Sequence, residues 1–347
     1  MFKSINRITN LKTINVGKKV EKIIYTIVLN RYTFGNVTIM SLTSFLKDTE
    51  NQDVRNELKT KFLRPQFNLK IDIKAPPLTR NGGIVGTAFD YLFRSNLKYI
   101  HPKHKFDETG WVADRAFIVL KTKFGKKKLY CEPLKILKRK YKEAKVNFEL
   151  YHKTGEATDA VIDSSIFLAK LDLYTRSGYL DTNYDNCSQL DIQDIRAMLS
   201  VINPETFKIN KRCWLNPVFG GSAFVGGADA DADVIIDDTL IDIKTTKHLK
   251  LNRSDLNQII CYYILSLMGG VNCKENDIPI KNIGIYFARY GELWTVPLSG
   301  LGETQTFHDF KNWLFAYSRE DGLSYDIVIA IISKLYTKKK RKKTTIL

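Results

Sequence analysis

Residues 226–244 read GGADADADVIIDDTLIDIK, and this stretch constrains the fold more than any other part of the chain. Two short runs of mainly aliphatic and β-branched residues, VII and LIDIK, are typical of strands. They are separated by Asp237-Asp238-Thr239, residue types that favour a tight turn. The pattern therefore predicts a short antiparallel β-hairpin.

The register of this hairpin follows from its turn. With Asp237 and Asp238 as the two turn residues, Asp233 lies directly opposite Asp242. Directly opposed residues have Cβ atoms about 4.5–5.5 Å apart. Side chains alternate between the two faces of a strand, so Lys244 shares the face of Asp242. The hairpin is thus expected to bring two carboxylates and one lysine together.

This group of charges has a chemical consequence. Two carboxylates so close repel each other strongly, and a divalent cation such as Mg²⁺, which prefers carboxylate oxygens and waters, removes the penalty. Such a site can hold the cation against a phosphodiester, although aspartates near a turn can also be plain solvated residues. Strand alternation puts Asp229 and Asp231 on the same face as Asp233, so they are alternatives to it as metal ligands or ligands of a second ion.

A calcium-binding loop of the EF-hand type does not fit the same aspartates. In a loop that begins at Asp229, the sixth position requires Gly but holds Val234. The twelfth position requires Glu but holds Leu240. The acidic run is therefore interpreted as part of the hairpin site and not as an EF-hand.

The flanking sequence adds polar residues at characteristic spacings. Downstream, Gln258 and Tyr262 are four residues apart, which puts them on one face of a helix. Upstream, Gly86 and Asp90 belong to GTAFDYLFR, an apolar helical stretch where an acid needs a partner such as a metal ion or Arg94. In this chain order, the elements resemble the PD-(D/E)xK nuclease superfamily, and specifically its RecB-like branch.

Two positions depart from the superfamily pattern. Ala232-Asp233 stands where Pro-Asp is frequent, and Asp90 stands where the G-x-x-x-H segment of the RecB-like branch has His. Aspartate is nevertheless a competent ligand for Mg²⁺ or Mn²⁺. The resemblance implies four metal ligands, which are Asp90, Asp233, Asp242 and the main-chain carbonyl of Ile243. It implies five catalytic residues, which are Asp233, Asp242, Lys244, Gln258 and Tyr262.

The resemblance also implies a fold and an activity. The expected fold is α/β and restriction-endonuclease-like: a central mixed β-sheet flanked by helices, with one helical insertion. The expected activity is Mg²⁺-dependent hydrolysis of DNA phosphodiesters, in defence or repair, with Gln258 and Tyr262 reaching the DNA backbone or a base beside the site. Three alternatives stay open: a nucleic-acid-binding module without turnover, an RNA-directed nuclease, and an enzyme that acts on another phosphate ester. The sequence also leaves open whether the enzyme is an exonuclease or an endonuclease.

The charge of the chain agrees with a polyanionic partner. The formal net charge is +17, from 54 basic and 37 acidic residues, and the basic tail at 337–347 contributes only six of these charges. Basic residues alternate with aromatics at 121–145, a mixture that suits a nucleic-acid groove as well as a solvated helix face. The candidate DNA contacts are Lys138, Arg139, Lys140 and Lys247.

The five cysteines are widely spaced and form no C-x-x-C pair, which argues against a zinc ribbon and an iron–sulfur cluster. Their odd number and the lack of a secretory pattern predict reduced thiols and a cytoplasmic location. No apolar run reaches the length of a membrane span, so no membrane association is expected.

The chain is predicted to divide into three parts. These are a basic extension at 1–39, a nuclease-like domain at 40–336 with a mostly helical insertion at 105–205, and the basic tail at 337–347. Helices are expected at 41–62 with Ser44 as a possible N-cap, and at 158–174, 190–202, 307–317 and 325–336. Further strands are expected at 214–219, 283–288 and 292–296, the last two as a second hairpin.

Overall fold

The computed structural model describes residues 41–124, 131–178, 186–225, 231–272 and 279–317. Several sequence predictions lie outside these residues, namely the extension at 1–39, the helix at 325–336, the tail at 337–347 and the alternative ligand Asp229. Across the described ranges, no helix is both long enough and apolar enough to cross a membrane.

Six strands of the described chain form one mixed β-sheet. They are β1 (Asp107–Glu108), β2 (Cys213–Leu215), β3 (Val234–Ile236), β4 (Thr239–Lys244), β5 (Asn282–Phe287) and β6 (Glu292–Pro297). Their order across the sheet is their order along the chain. Strands β1 and β2 are parallel, as are β4 and β5, and the other neighbours are antiparallel. The predicted α/β class with a central mixed sheet is confirmed.

Helices flank both faces of this sheet. Within the described ranges they are α1 (Leu42–Lys47), α2 (Gln52–Lys61), α3 (Gly82–Ile100), α4 (Ala113–Phe124), α5 (Cys131–Thr154), α6 (Asp159–Ser177), α7 (Gln189–Ser200), α8 (Arg253–Gly269) and α9 (Thr304–Tyr317). The predicted insertion at 105–205 holds α4 to α7, but it also holds β1, which extends the sheet beside β2.

The strand alternation divides the core into two layers. On one face of the sheet, Ile235 and Leu240 pack in a hydrophobic cluster with α1, α2, α8 and α9. On the other face, Val234 and Ile241 pack with helices α3 to α7. Because Asp242 and Lys244 alternate with Ile241, they share the face of Leu240 and point toward the α8 layer.

The hairpin has the predicted register. Ile236 pairs with Thr239, Ile235 with Leu240 and Val234 with Ile241, so Asp237 and Asp238 form the two-residue turn. Asp237 adopts a positive φ of 51°, a conformation that Asp tolerates better than most residues. Its carboxylate also accepts backbone hydrogen bonds from the preceding loop, at 2.7 Å from Lys211 and 3.1 Å from Arg212. The turn is therefore held by residues outside the hairpin.

The helix predicted at 41–62 is not continuous. The N-cap is Ser41 and not Ser44, and α1 itself starts at Leu42. The hydroxyl of Ser41 accepts the backbone N–H of Ser44 at 3.1 Å, which caps the first turn. Asp48 then ends α1 with an extended backbone, and its carboxylate accepts the N–H of Glu50 at 3.1 Å. This second cap starts a 3₁₀ turn at Thr49–Asn51, after which α2 begins.

Other bounds shift by a few residues. The helix predicted at 158–174 continues to Ser177, because Gly178 supplies the left-handed cap at φ 72°. The helix predicted at 190–202 spans Gln189–Ser200. The strand predicted at 214–219 ends at Leu215, because Asn216 has a positive φ of 51°. The hairpin predicted at 283–288 and 292–296 is confirmed as β5 and β6, and the helix predicted at 307–317 as α9.

Candidate metal-binding active site

A cavity of about 290 Å³ lies at the carboxyl end of β4, and residues from both helical layers line it. We call it the acidic cavity. Every residue that the sequence predicted as a metal ligand or catalytic residue is part of its lining: Asp90, Asp233, Asp242, Ile243, Lys244, Gln258 and Tyr262. The fold thus brings together residues of α3, the hairpin and α8 that are far apart in the sequence.

The hairpin supplies the two opposed acids. Asp233 directly precedes β3, so the register that pairs Val234 with Ile241 puts it opposite Asp242. One oxygen of the Asp233 carboxylate accepts the backbone N–H of Ile243 at 2.5 Å, which fixes the side chain against β4. Asp242 is 4% exposed. Both side chains line the acidic cavity, and the charge of Asp242 acts on Asp233.

Helix α3 reaches the hairpin because Gly86 has no side chain. A Cβ on Gly86 would lie 2.8 Å from Oγ1 of Thr245, the residue that follows β4. One helical turn later, Asp90 projects into the same cavity and pairs with Arg94 at 2.5 Å. The expected basic partner of Asp90 is thus present, and one carboxylate oxygen of Asp90 still faces the cavity without a hydrogen bond.

Helix α8 fixes the position of the lysine. Nζ of Lys244 donates a hydrogen bond to Oε1 of Gln258 at 2.9 Å and lies 2.7 Å from Oδ2 of Asp242. The amide nitrogen of Gln258 donates to the hydroxyls of Tyr262 and Thr43, both at 3.0 Å. Gln258 and Tyr262 therefore share one helix face, as the spacing predicted, and in this structure they hold Lys244.

Burial raises the pKa of all three predicted acidic ligands. The pKa of Asp90 is raised to about 6, since burial outweighs the attraction of Arg94. The pKa of Asp233 is raised well above its usual value by burial and by the charges of Asp90 and Asp242. The pKa of Asp242 is raised by burial, against the opposing effect of Lys244. A cation in this cavity would favour the ionised form of each carboxylate.

The pKa of Lys244 is also raised, but here burial acts against the shift. Its burial opposes the charged form, but the neighbouring carboxylates of Asp242 and Asp255 raise the pKa of the ammonium group above its usual value. Asp255 lies 3.9 Å from Nζ, at the start of α8. Lys244 is therefore protonated at neutral pH and acts as a hydrogen-bond donor and a positive charge.

The donor atoms suit a hard divalent cation. Oδ1 of Asp90 and Oδ2 of Asp242 are buried and receive no well-directed hydrogen bond, although Lys244 forms an ion pair with the latter. Among the residues with described positions, no three Asp, Glu, His or Cys side chains already surround one common metal position. Unpaired carboxylate oxygens are nevertheless the ligands that Mg²⁺ and Mn²⁺ prefer, so the residues fit such an ion by their chemistry.

Two charged residues of α6 were not predicted. Arg176 lines the acidic cavity and pairs with Asp172 at 2.6 Å and with Asp231 at 3.2 Å. The alternative ligand Asp231 is thus engaged with an arginine, whereas Asp233 contacts β4. A signal was present in the sequence: Asp172 and Arg176 are an acid and a base four residues apart on one helix, as Asp90 and Arg94 are on α3.

None of the four candidate DNA contacts is among the residues that line the acidic cavity. Lys138, Arg139 and Lys140 are on α5, where Arg139 pairs with Glu143 and Lys140 with Asp163. Lys247 is exposed three residues beyond Lys244, and its carbonyl accepts the hydroxyl of Tyr290 at 2.6 Å. These lysines and the arginine remain candidates for backbone contacts at a distance from the acids.

Comparison of the chain with protein-family models, with curated proteins and with solved structures found no match.

Proposed function

We propose that this protein is a divalent-metal-dependent nuclease that hydrolyses the phosphodiester bonds of DNA. The observation that carries the proposal is the arrangement of two opposed hairpin carboxylates, Asp233 and Asp242, with the ammonium group of Lys244 on the same face. Asp90 adds a third carboxylate from α3. The resemblance to the PD-(D/E)xK superfamily, in the same chain order, supports the same activity.

Asp90, Asp233, Asp242 and the carbonyl of Ile243 would hold Mg²⁺ or Mn²⁺. When bound, such an ion lowers the pKa of a water ligand and stabilises negative charge on phosphate oxygens. Oδ1 of Asp90 has no hydrogen-bond partner and is available for it, whereas Oδ2 of Asp242 is already 2.7 Å from Nζ of Lys244. Asp242 is only 4% exposed, and charge interactions are stronger at a carboxylate that is shielded from bulk water.

Lys244 acts as a hydrogen-bond donor and not as a general base, because its raised pKa keeps the ammonium group protonated. Its ammonium group would orient the attacking water through a hydrogen bond and neutralise the charge that develops on the phosphate. Gln258 holds this ammonium group at 2.9 Å, and Tyr262 and Thr43 in turn hold Gln258. We assign Gln258 and Tyr262 as positioning residues for Lys244.

A nucleic-acid-binding module without turnover is the second candidate. It is favoured by the ion pairs that already neutralise several acids: Asp90 pairs with Arg94, Asp242 with Lys244 and Asp231 with Arg176. A charge cluster of this kind can be purely structural. The two candidates differ in a single property, which is metal-dependent cleavage.

The experiment that separates them compares the wild-type protein with Lys244→Ala, with and without Mg²⁺ or Mn²⁺. The substrates are supercoiled circular DNA, linear double-stranded DNA, single-stranded DNA and RNA. We expect metal-dependent cleavage of DNA by the wild type only, with salt-sensitive binding retained by the variant. Binding without cleavage under either metal would favour the second candidate, and preferential cleavage of RNA would change the substrate. Cleavage of the circle identifies an endonuclease.

A further inference from the structure

A second cavity, of about 240 Å³, lies beside the acidic cavity and shares Arg94 and Asn216 with its wall. We call it the aromatic pocket. Trp111, Phe148 and Tyr141 contribute its rings, and Ser95, Lys98 and His152 are among its polar lining residues. It is built by α3, α4 and α5, together with the segment that follows β1.

The rings of the pocket are arranged around Trp111. The ring centroid of Trp111 lies 5.2 Å from Phe148 and 5.9 Å from Tyr141, and its plane is steeply inclined to both. Phe148 is fully buried, and Tyr141 is stacked on Phe117 with 5.4 Å between ring centroids, whereas Trp111 lines the pocket and is partly exposed. Partly exposed aromatic faces in a protein with a strongly basic charge are the platform on which nucleobases stack.

The opposite side of the pocket carries hydrogen-bonding groups. Nε2 of His152 lies 3.0 Å from Oγ of Ser95. Burial, together with the charge of Lys98, lowers the pKa of His152 to about 4, so the imidazole is neutral at pH 7, and Nδ1 is the ring nitrogen not engaged by Ser95. Lys98 pairs with Glu108 at 2.6 Å, and Nζ of Lys145 lies 4.8 Å from the ring of Tyr141. These groups can read the edge of a planar ring.

Helix α3 connects the two cavities. Asp90 faces the acidic cavity, Arg94 faces both, and Lys98 faces the aromatic pocket. Eight residues of helix separate Asp90 from Lys98, which is about 12 Å along the axis. A stacked strand rises about 3.4 Å per nucleotide, so roughly three nucleotides span the distance along the helix from Asp90 to Lys98. One strand can therefore occupy both.

We propose that the aromatic pocket binds a nucleobase of the strand whose phosphate occupies the acidic cavity, by stacking on Trp111. The proposal rests on the proposed function, because it takes the ligand to be a nucleic acid. The two cavities then have different functions. The acidic cavity acts on the phosphate backbone of the nucleic acid, and the aromatic pocket fixes the position of the strand by binding a base.

The test uses two short single-stranded DNA oligonucleotides of equal length and equal phosphate number, one with bases and one entirely abasic. Affinity is measured by fluorescence anisotropy in EDTA, so that no cleavage occurs. Stacking of one base contributes enough for the wild type to bind the abasic oligonucleotide about 5- to 150-fold more weakly. Trp111→Ala should bind both oligonucleotides with nearly equal affinity.

The matched control is Trp313→Ala, which removes a partly exposed tryptophan of α9 that stacks on Phe310 and Tyr317 and does not line the pocket. It should keep the wild-type preference for bases. If Trp111→Ala does not fold, Trp111→Phe replaces it: this variant keeps an aromatic face, and it should lose the quenching of tryptophan emission that the oligonucleotide with bases causes in the wild type.

The outcomes separate the two proposals. If the wild type binds both oligonucleotides equally, or if Trp111→Ala keeps the full preference for bases, the aromatic pocket is not a base site and the proposed nuclease function still stands. The same holds if quenching persists unchanged in Trp111→Phe. If the wild type binds neither oligonucleotide, the pocket proposal fails, and metal-dependent cleavage of supercoiled and linear DNA tests the proposed function independently.

Discussion

The ammonium group of Lys244 donates a hydrogen bond to the side-chain oxygen of Gln258 at 2.9 Å, a contact that joins the last residue of β4 to the middle of α8. Gln258 accepts this bond while its amide nitrogen donates to Tyr262 and Thr43. The lysine thus has a fixed position between the glutamine and Asp242, which lies 2.7 Å away. The first prediction follows from this contact.

Gln258→Ala should reduce metal-dependent DNA cleavage while the fold is retained. The variant leaves Lys244 without its partner on α8, and loss of an orienting partner typically costs about 10- to 100-fold in activity. The measurement is steady-state cleavage of linear DNA. We expect the loss to appear mainly in kcat, with a smaller change in KM. Gln305→Ala is the matched control, because Gln305 also bonds a side chain four residues on, Asp309, at 2.8 Å, but on the exposed surface of α9. Equal activity of the two variants would show that the contact has no catalytic role.

Gly86→Ala should destabilise the protein and disturb the site. The added Cβ would meet Oγ1 of Thr245 at 2.8 Å, so either the Thr245 side chain must turn away or α3 and the end of β4 must separate. Overpacking of this kind costs about 1–3 kcal/mol in unfolding free energy. The displacement also moves Asp90, one turn along α3, so cleavage activity should fall as well. Urea denaturation and a cleavage assay measure the two effects.

Gly83→Ala is the control for this substitution, because a Cβ there meets nothing within 4 Å. It should leave stability unchanged or raise it by up to about 1 kcal/mol, as replacement of a helical glycine does. Adding Thr245→Ala to Gly86→Ala removes the blocking hydroxyl and should restore part of the lost stability. If the double variant is no more stable than Gly86→Ala, the steric explanation is wrong.

Asp194→Ala should be strongly destabilising. Asp194 of α7 is fully buried and pairs with Arg289, which is 2% exposed, at 2.6 Å. Arg289 also donates to the carbonyl of Thr245 at 2.7 Å, so it ties α7 to the end of β4. Removing one partner of a buried pair leaves an uncompensated charge and costs about 3–5 kcal/mol.

Arg196→Ala provides the comparison on the same helix, because its ion pair with Asp159 is largely exposed and such pairs contribute about 0–1 kcal/mol. Both variants are measured by urea denaturation at one pH. Similar losses of unfolding free energy in the two would argue against a structural role for the buried pair.

Asp90→Asn should change how stability depends on pH. The folded pKa of Asp90 is about 6, above its usual value of 3.8, so the folded state binds this proton more tightly than the unfolded chain does. The stabilising contribution of that proton is present below pH 3.8 and is lost as pH rises through about 6. The variant has no such proton, so it should gain stability relative to the wild type across this window.

Urea denaturation of both proteins at several pH values in EDTA measures this difference. A constant difference at all pH values would contradict the raised pKa of Asp90. At neutral pH, saturating Mg²⁺ should raise the unfolding free energy of the wild type more than that of the variant, since the ion binds the folded state only.

Local rules predicted the parts of the site that local geometry determines. The turn at Asp237 and Asp238 fixed which residues oppose each other, and alternation then put Asp242 and Lys244 on one face, as the register of β3 and β4 confirms. The four-residue spacing of Gln258 and Tyr262 likewise predicted a shared helix face, and the two side chains are hydrogen-bonded.

Contacts between distant segments could not be predicted in this way. Arg176 pairs with Asp231 across 55 positions and Arg289 with Asp194 across 95, and no local pattern relates either pair. The positive φ of Asn216 shortened a strand that its apolar sequence favoured. The basic run at Lys138 was recognised from composition alone. Composition does not determine where α5 lies in the fold, and the residues of this run do not line the acidic cavity.

The central claim is that the hairpin acids support metal-dependent cleavage of DNA, and Asp242→Asn tests it most directly against Asp238→Asn. Both substitutions remove one charge from the same hairpin, but Asp238 lies in the turn, at the end of the hairpin away from the acidic cavity. The measurement is the rate of Mg²⁺-dependent cleavage of linear DNA by folded protein. The account predicts a loss of at least about 100-fold for Asp242→Asn and near wild-type rates for Asp238→Asn. Equal rates for the two variants and the wild type, or no cleavage by the wild type under Mg²⁺ or Mn²⁺, would contradict it.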